Sequence, residues 1–361
     1  MRSLIVFAGA GASYGIAANK YPTTIEFKRR LPEEIQSDPL YQATLSHLVS
    51  SGINSDSIDI ELVLWKLDSL LQALDPWLKV EELGGHLLRH NGIRPIVGPD
   101  IQGQVVQSQF SNLSKVADAL RARINQRVYD YYSQTPTDEE LDRSWVPLLR
   151  WLRNQHFDRI DVVTTNYDLV IESAIEKVGS FPIELGHRQG VLPTIDISAW
   201  RRSGSSGGML TKLHGSVDWR RGTGNTDKDP IVRRGLPEFD GDHNQRVIIY
   251  PGYKGVPSHE PFQTFHRYFS QRVSEATHLL FIGFAFRDKY INDLLRSSAL
   301  PSRKLAIVDP TRELPDIPFL EGALHLQQGF GIARSDTLLA LGGIEAFIPQ
   351  ALDSWSAAST E

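Results

Sequence analysis

The stretch Leu-Ile-Val-Phe-Ala-Gly-Ala-Gly-Ala-Ser at residues 4–13 decides the fold, because a short apolar run ends abruptly at two closely spaced glycines. Three later stretches have the same form and end in small, polar or catalytic-type residues: 160–168 (IDVVTTNYD), 209–216 (MLTKLHGS) and 279–288 (LLFIGFAFRD). Short apolar runs bounded in this way are typical of buried parallel strands. In such sheets, ligands bind outside the carboxyl ends of the strands. The sequence therefore predicts an α/β fold, a Rossmann-like parallel sheet flanked by helices, with a crevice where these ends meet.

The segment between the first two strands has a different pattern. Apolar residues recur at helical spacing over 59–74 and over 113–132, whereas the α/β alternation resumes near residue 145. This pattern predicts a helical module inserted into the sheet. The predicted domains are a core of residues 1–30 plus 141–310, a helical insertion of residues 31–140, and a C-terminal extension of residues 311–361, whose last ten residues are expected to be disordered.

The composition excludes several classes of protein. The 361 residues include no cysteine, which excludes disulfides, a thiol nucleophile and a cysteine-based zinc site. The formal net charge is −5 and no long basic stretch occurs, so we expect no direct nucleic-acid binding. Neither a signal-peptide pattern nor an apolar run of membrane-spanning length is present, so we expect a cytoplasmic protein without a membrane partner. No metal-ligand spacing occurs among the histidines, so no metal is expected.

The residues that follow the first three predicted strands each have two possible roles. Gly9-Ala10-Gly11 offers backbone N–H groups to a pyrophosphate, or it forms a tight packing turn. Asn166 and Asp168 stand at a strand-to-helix junction, where they contact a ligand or cap the helix. His214 is a general base near neutral pH or a structural histidine. The residues alone leave these alternatives open.

The remaining candidates have the same ambiguity. Ser13 adds a hydroxyl donor to the first turn or caps the next helix. Gly283–Asp288 forms a second phosphate-facing loop, or Asp288 is the N-cap of a helix that begins near residue 289. Asp309, after the last strong strand, accepts hydrogen bonds from a ribose diol or starts a turn with Pro310.

Taken together and in order, these motifs resemble the sirtuin superfamily, and more closely its bacterial sirtuin-like branch, which depletes NAD in antiphage defence. The resemblance is carried by Gly9–Ser13, Thr164–Asp168, Leu213–Ser216 and Ile282–Asp288, and covers about 1–30 and 141–310. It implies an NAD hydrolase that uses NAD as its substrate. By this resemblance the catalytic residues are Asn166, Asp168 and His214, and the NAD-binding residues are Gly9, Ala10, Gly11, Ser13, Thr165, Gly283, Phe284, Asp288 and Asp309.

The chain departs from the protein deacylases of that superfamily. Those enzymes carry a four-cysteine zinc module, which is missing here, and a glutamine where this chain has Thr165. Two alternatives to the hydrolase remain: a non-catalytic module of a regulatory complex that binds NAD or an ADP-ribose derivative, and an NAD-dependent protein deacylase, which the missing zinc module disfavours. The resemblance also implies control by an operon-encoded ATPase or Argonaute-type partner. Because an NAD hydrolase that is always active would be toxic and the chain shows no sensor domain, we also expect a homo-oligomer.

Overall fold

A computed structural model describes most of the chain. The described residues are 2–79, 99–188, 193–202, 207–221, 231–233, 246–250, 257, 259–297, 303–309, 320–327 and 349–357, without the side chains of 75–79, 99–110 and 232–233. The chain divides into two compact units: one formed by Met1–Thr23, Tyr129–Ile249 and Tyr253–Glu361, and one formed by Thr24–Val128 and Tyr250–Gly252. All four sequence motifs lie in the first unit.

The strands of the described residues all belong to the first unit. They are β1 (Ser3–Ala8), β2 (Arg159–Thr164), β3 (Ile183–Glu184), β4 (His187–Arg188), β5 (Thr194–Ile195), β6 (Gly208–Lys212), β7 (Gly215–Arg221), β8 (Ile231–Arg233), β9 (Arg246–Ile248), β10 (His278–Ile282), β11 (Lys304–Val308) and β12 (Leu324–Leu326). Seven of them form one parallel sheet in the order β12-β11-β10-β1-β2-β6-β3. The predicted Rossmann-like parallel sheet is therefore confirmed.

The described helices are α1 (Ala10–Tyr14), α2 (Thr24–Arg29), α3 (Glu33–Gln36), α4 (Pro39–Ser50), α5 (Ile60–Lys79), α6 (Pro99–Tyr132), α7 (Asp138–Asp142), α8 (Trp145–Arg153), α9 (Val170–Val178), α10 (Ile197–Arg202), α11 (Phe262–Glu275), α12 (Lys289–Ser297) and α13 (Asp353–Ser356). Helices flank the sheet because their apolar stripes are buried on it. In α11 the stripe consists of Phe262, Phe265, Phe269 and Val273, which recur at helical spacing and lie in the core cluster. Phe7 of β1 packs on Phe269, with ring centroids 5.5 Å apart.

The carboxyl ends of five neighbouring strands form one row. Strand register pairs Ala8 with Ile282 on one side and with Thr164 on the other. The same row continues outward through Val308 beside Ile282 and Lys212 beside Thr164. The chain leaves β1 toward β2 but leaves β10 toward β11, so the connections diverge between β1 and β10. Such a switch point is where open α/β sheets bind ligands.

A second sheet was not predicted from the sequence. It is antiparallel, with the order β4-β5-β8-β7-β9. Its strands β7 and β8 carry polar or charged residues beside the apolar ones. In β7 the polar residues Ser216, Asp218 and Arg220 are as buried as Val217 and Trp219. Residues 216–220 alternate polar and apolar side chains, which is the pattern of a strand with one exposed polar face, whereas in the structure both faces of β7 are buried.

The second unit is helical in its described residues. Its helix α4 is capped by Asp38, whose carboxylate accepts hydrogen bonds from the N–H groups of Leu40 and Tyr41. Pro39 occupies the first turn, where its missing N–H costs no hydrogen bond. Among the described helices of the chain, none is both long and apolar enough to cross a membrane.

Part of the C-terminal tail is ordered, contrary to expectation. Helix α13 follows a 3-10 turn at Pro349–Leu352, and Trp355 is buried against His278 with ring centroids 5.2 Å apart. The indole of Trp151 donates a hydrogen bond of 2.8 Å to Asp353. These long-range contacts order residues that lack a periodic pattern of their own. The last residues of the predicted disordered segment, 358–361, lie outside the described residues.

Candidate functional site

The turn after β1 is packed against the turn after β10. The N–H groups of Gly9 and Gly11 donate to the carbonyls of Ile282 and Gly283, each at 2.9 Å. A Cβ on Gly11 would lie 2.8 Å from the Cα of Gly283, and one on Gly9 would lie 2.6 Å from the Cα of Phe284. The two glycines therefore permit a contact between backbones. Their two N–H groups are already occupied, so any pyrophosphate contact needs other atoms of this turn.

Asn166 connects the ends of β1 and β2. Its side-chain Nδ2 donates to the carbonyl of Gly9 at 2.9 Å and to the hydroxyl of Ser13 at 3.0 Å. Its own N–H donates to the hydroxyl of Thr164, which in turn donates to the carbonyl of Ala8. With Nδ2 occupied in this way, the amide can serve a ligand only as an acceptor through Oδ1.

Asp168 is a buried carboxylate at the same edge. It accepts a hydrogen bond from the N–H of Val170 at the start of α9, which is the capping role, and it is also hydrogen bonded to the hydroxyl of Ser13. Burial raises the pKa of Asp168 above its ordinary value, although the charge of Lys212 and the Ser13 hydroxyl act in the opposite direction. A carboxylate with a raised pKa at a ligand-binding edge is a candidate for proton transfer.

Lys212 is the functional-site residue that the sequence analysis missed. Its ammonium is buried and forms an ion pair of 2.8 Å with Glu172, and it also donates to the hydroxyl of Ser216 at 3.0 Å and to the carbonyl of Asp168. This single side chain fastens the Asn166–Asp168 segment to β6 and β7. The signal was visible, because a lysine inside an apolar strand must have a buried anionic partner.

His214 lies just beyond β6 and faces a carboxylate from the turn after β10. Its Nε2 is 3.6 Å from Oδ2 of Asp288, and the His214 side chain is only 3% exposed. Neither ring nitrogen has a hydrogen-bond partner. The next residue, Gly215, has a φ of +90°, and a Cβ there would lie 2.0 Å from the carbonyl oxygen of Val247. Gly215 therefore permits a close approach between two segments of backbone.

A second buried histidine, His266 of α11, lies near this pair. Burial lowers the pKa of His266 to about 4, with a further contribution from the neighbouring His214. His266 is therefore neutral at neutral pH. Burial alone would raise the pKa of Asp288, but His214 holds that pKa below its ordinary value. The effect of His266 on the pKa of Asp288 is weaker than that of His214. The sequence analysis did not single out His266, and an isolated histidine on a helix carries no signal of this kind.

The remaining predicted residues are distributed along the same edge. Thr165 is half-buried, and its N–H points to the carbonyl of Ala8 at 3.4 Å. The ring of Phe284 packs into the core on Phe7, with centroids 4.5 Å apart, so only its backbone is placed for a nucleotide. Asp309 follows β11, is half-buried, and its N–H donates to the carbonyl of Leu326 at 3.2 Å. Ala10 is half-buried at the start of α1.

Across the described ranges, no cluster of three or more histidine, aspartate or glutamate side chains has the arrangement of a metal site. Among the charged groups at the sheet edge, Lys212 pairs with Glu172, and Asp168 and Asp288 accept from backbone N–H groups. The arrangement provides a buried imidazole, a buried carboxylate and an amide on adjacent strand ends. These are the groups of acid–base chemistry on a polar ligand.

Comparison with known proteins gives a match over part of the first unit. Residues 161–313 match the model of a family described as SIR2-like domain. The matched span contains Asn166, Asp168, His214, Asp288 and Asp309, and it leaves out the turn after β1. This part of the chain is thus similar to SIR2-like domains, in agreement with the sirtuin-like resemblance. No curated protein matches the sequence significantly.

Solved structures of Sir2 proteins are similar at a distance. One is a Sir2 homologue in complex with NAD, at 13% identity over 98% of this chain and 91% of that chain, with a TM-score of 0.41. Another is a Sir2 homologue mutant in complex with 2'-O-acetyl ADP ribose, at 12% identity over 99% and 95% of the two chains, with a TM-score of 0.42. At such identities and scores the likeness says nothing about substrate or activity.

Proposed function

We propose that this protein is an NAD hydrolase that cleaves the nicotinamide–ribose bond and releases nicotinamide and ADP-ribose. The observation that carries the proposal is the meeting of Asn166, Asp168 and the His214–Asp288 pair at the carboxyl edge of one parallel sheet. This edge is the usual ligand site of the fold, and most of it lies within the SIR2-like match.

The buried imidazole of His214 supports a polar substrate. A buried polar atom without a partner is costly, and native sites of this kind are usually satisfied by a ligand or water. The ribose hydroxyls of NAD, or the water that attacks the ribose, supply such a partner. The predicted contact of the turn of Gly9, Ala10, Gly11 and Ser13 with the pyrophosphate remains part of this proposal, through atoms other than the N–H groups of Gly9 and Gly11. So do the predicted contacts of Thr165, Gly283, Phe284, Asp288 and Asp309 with the rest of NAD.

The chemistry needs few groups. The bond between the ribose C1' and the pyridinium nitrogen breaks, and nicotinamide departs as a neutral molecule, so no acid is required for the leaving group. Water forms the new C1'–O bond and loses a proton to His214, the proposed general base. Asn166 orients the water or the ribose through Oδ1. The burial of Asn166, Asp168 and His214 limits the access of competing water to the reacting atoms.

Incubation of the purified protein with NAD, followed by chromatography of free nicotinamide, tests this proposal. His214→Ala should lower the rate by roughly 10²–10⁴, as expected when a general base is removed. The matched control is His278→Ala, since His278 is also buried but begins β10 at the opposite edge of the sheet. NAD binding without nicotinamide release would identify a binding module. Formation of acyl-ADP-ribose from an acylated peptide would identify a deacylase.

We extend the proposal to biology on the basis of the motif resemblance and of the toxicity expected of an NAD hydrolase that is always active. The protein would act in the cytoplasm as an antiphage-defence effector that depletes NAD, as a homo-oligomer restrained until an ATPase or Argonaute-type partner engages it. Light scattering after size-exclusion chromatography, together with NAD turnover with and without the product of the adjacent gene, tests this part. A monomer that is fully active alone would contradict it.

A further inference from the structure

Asp288 stands between a helix start and the proposed general base. Its Oδ1 accepts a hydrogen bond of 3.0 Å from the N–H of Ile291, which caps α12. Its Oδ2 faces Nε2 of His214 at 3.6 Å. This separation is longer than a hydrogen bond, so in the present conformation the contact is electrostatic. The two oxygens of one carboxylate therefore have two different partners.

The turn that carries Asp288 is braced. The side chain of Asn292 donates a hydrogen bond of 2.6 Å to the carbonyl of Phe286, and Phe286 itself has a positive φ of 53°. Gly283, at the start of the turn, donates to the carbonyl of Val308 at 2.9 Å. With both ends of the turn and the helix cap held in this way, the carboxylate has little freedom to move away from His214.

Other titratable groups near the pair do not compete for this role. His266 is neutral at neutral pH, since burial lowers its pKa to about 4. Tyr290 is also neutral, because burial and then the charge of Asp288 raise its pKa above the ordinary value. Lys289 is exposed and pairs with Asp293 at 3.1 Å. Asp288 is thus the ionised group that the described structure places against His214.

We infer that Asp288 is the positioning residue of His214. It orients one ring nitrogen of the imidazole toward its carboxylate, leaves the other for the reacting hydroxyl or water, and stabilises the imidazolium that forms when His214 accepts a proton. The catalytic part of this inference rests on the proposed function. It also gives Asp288 a role other than the nucleotide contact expected from the sequence.

The variant Asp288→Asn separates this role from the helix cap. Asparagine caps helices as well as aspartate does but carries no charge. We expect Asp288→Asn to lower kcat for NAD cleavage by about 10²-fold or more, with KM and the thermal midpoint nearly unchanged. Asp288→Ala should lose the cap in addition. The matched control is Asp38→Asn, which changes an equivalent cap on α4 and should leave kcat unaffected.

A second readout does not depend on NAD cleavage. In protein labelled with carbon-13 at aspartate carboxyls, the resonance missing from Asp288→Asn identifies Asp288. The inference predicts that this carboxyl titrates below the ordinary range and that His214→Gln raises its pKa, because burial remains when the imidazole is gone. An unchanged titration in His214→Gln would overturn the inference, as would full kcat in Asp288→Asn. If the wild-type protein does not cleave NAD but the titration of Asp288 still depends on His214, the proposed hydrolase function is wrong and the Asp288–His214 interaction stands.

Discussion

Gly283 offers the sharpest test of how the site is built. Its φ is +55°, and a Cβ there would lie 2.2 Å from the N of Ala12 and 2.4 Å from the carbonyl carbon of Gly11. For alanine the left-handed conformation costs roughly 1–2 kcal/mol. The overlap is with backbone and cannot be relieved by rotating a side chain, so overpacking adds about 1–3 kcal/mol. We expect Gly283→Ala to lose about 2–5 kcal/mol of unfolding free energy.

The control for this experiment is Gly322→Ala. Gly322 also has a positive φ, +77°, but a Cβ there would meet nothing within 4 Å. It should therefore lose only the conformational contribution of roughly 1–2 kcal/mol. Urea denaturation followed by circular dichroism measures both variants. Equal losses would show that the contact between the turns after β1 and β10 is not tight, and the reasoning about the two turns would be wrong.

Three further predictions concern residues around the site and at the opposite edge. Burial and the nearby positive charges lower the pKa of His278 to about 4 in the folded protein. In the unfolded chain the pKa is about 6.5, so His278 is neutral in the folded and the unfolded state above that pH. Acidification from pH 6.5 to 4 should then lower the free energy of unfolding by up to about 3 kcal/mol, because the unfolded chain binds the proton first. Urea melts of His278→Phe should show a smaller loss over the same pH range. An equal loss in this variant would mean that other groups cause the pH dependence. Tyr268→Phe removes the hydroxyl that donates to buried Asp161 and accepts from Arg159. It should lower the free energy of unfolding by roughly 1–3 kcal/mol in the same melts. An unchanged midpoint would show that the Arg159–Asp161 ion pair does not need this hydroxyl. Asp309→Ala should raise KM for NAD and leave kcat intact, as for a contact made equally in ground and transition states, and a loss confined to kcat would contradict that role.

Much of the central sheet was readable from the sequence. The strands β1, β10 and β11 are largely buried on both faces, so they are mostly apolar runs bounded by glycine or polar residues, and β2 has the same form apart from the buried Asp161. Parallel topology then places their carboxyl ends at one edge. For that reason, the clustering of Gly9, Asn166, His214 and Asp288 at this edge was predictable without coordinates.

The pairings within the site were decided by tertiary structure. Sequence periodicity reports whether a residue is buried on its own strand or helix, but not which other element supplies its partner. The contact of His214 with Asp288 depends on β6 and β10 lying in the same sheet on opposite sides of β1 and β2. The use of Asn166 to tie Gly9 to Ser13 depends likewise on the adjacency of β1 and β2. The burial of the polar face of β7 could not be predicted for the same reason, because it depends on contacts with other elements, such as that of Arg220 with the ring of Tyr129, which no local pattern records.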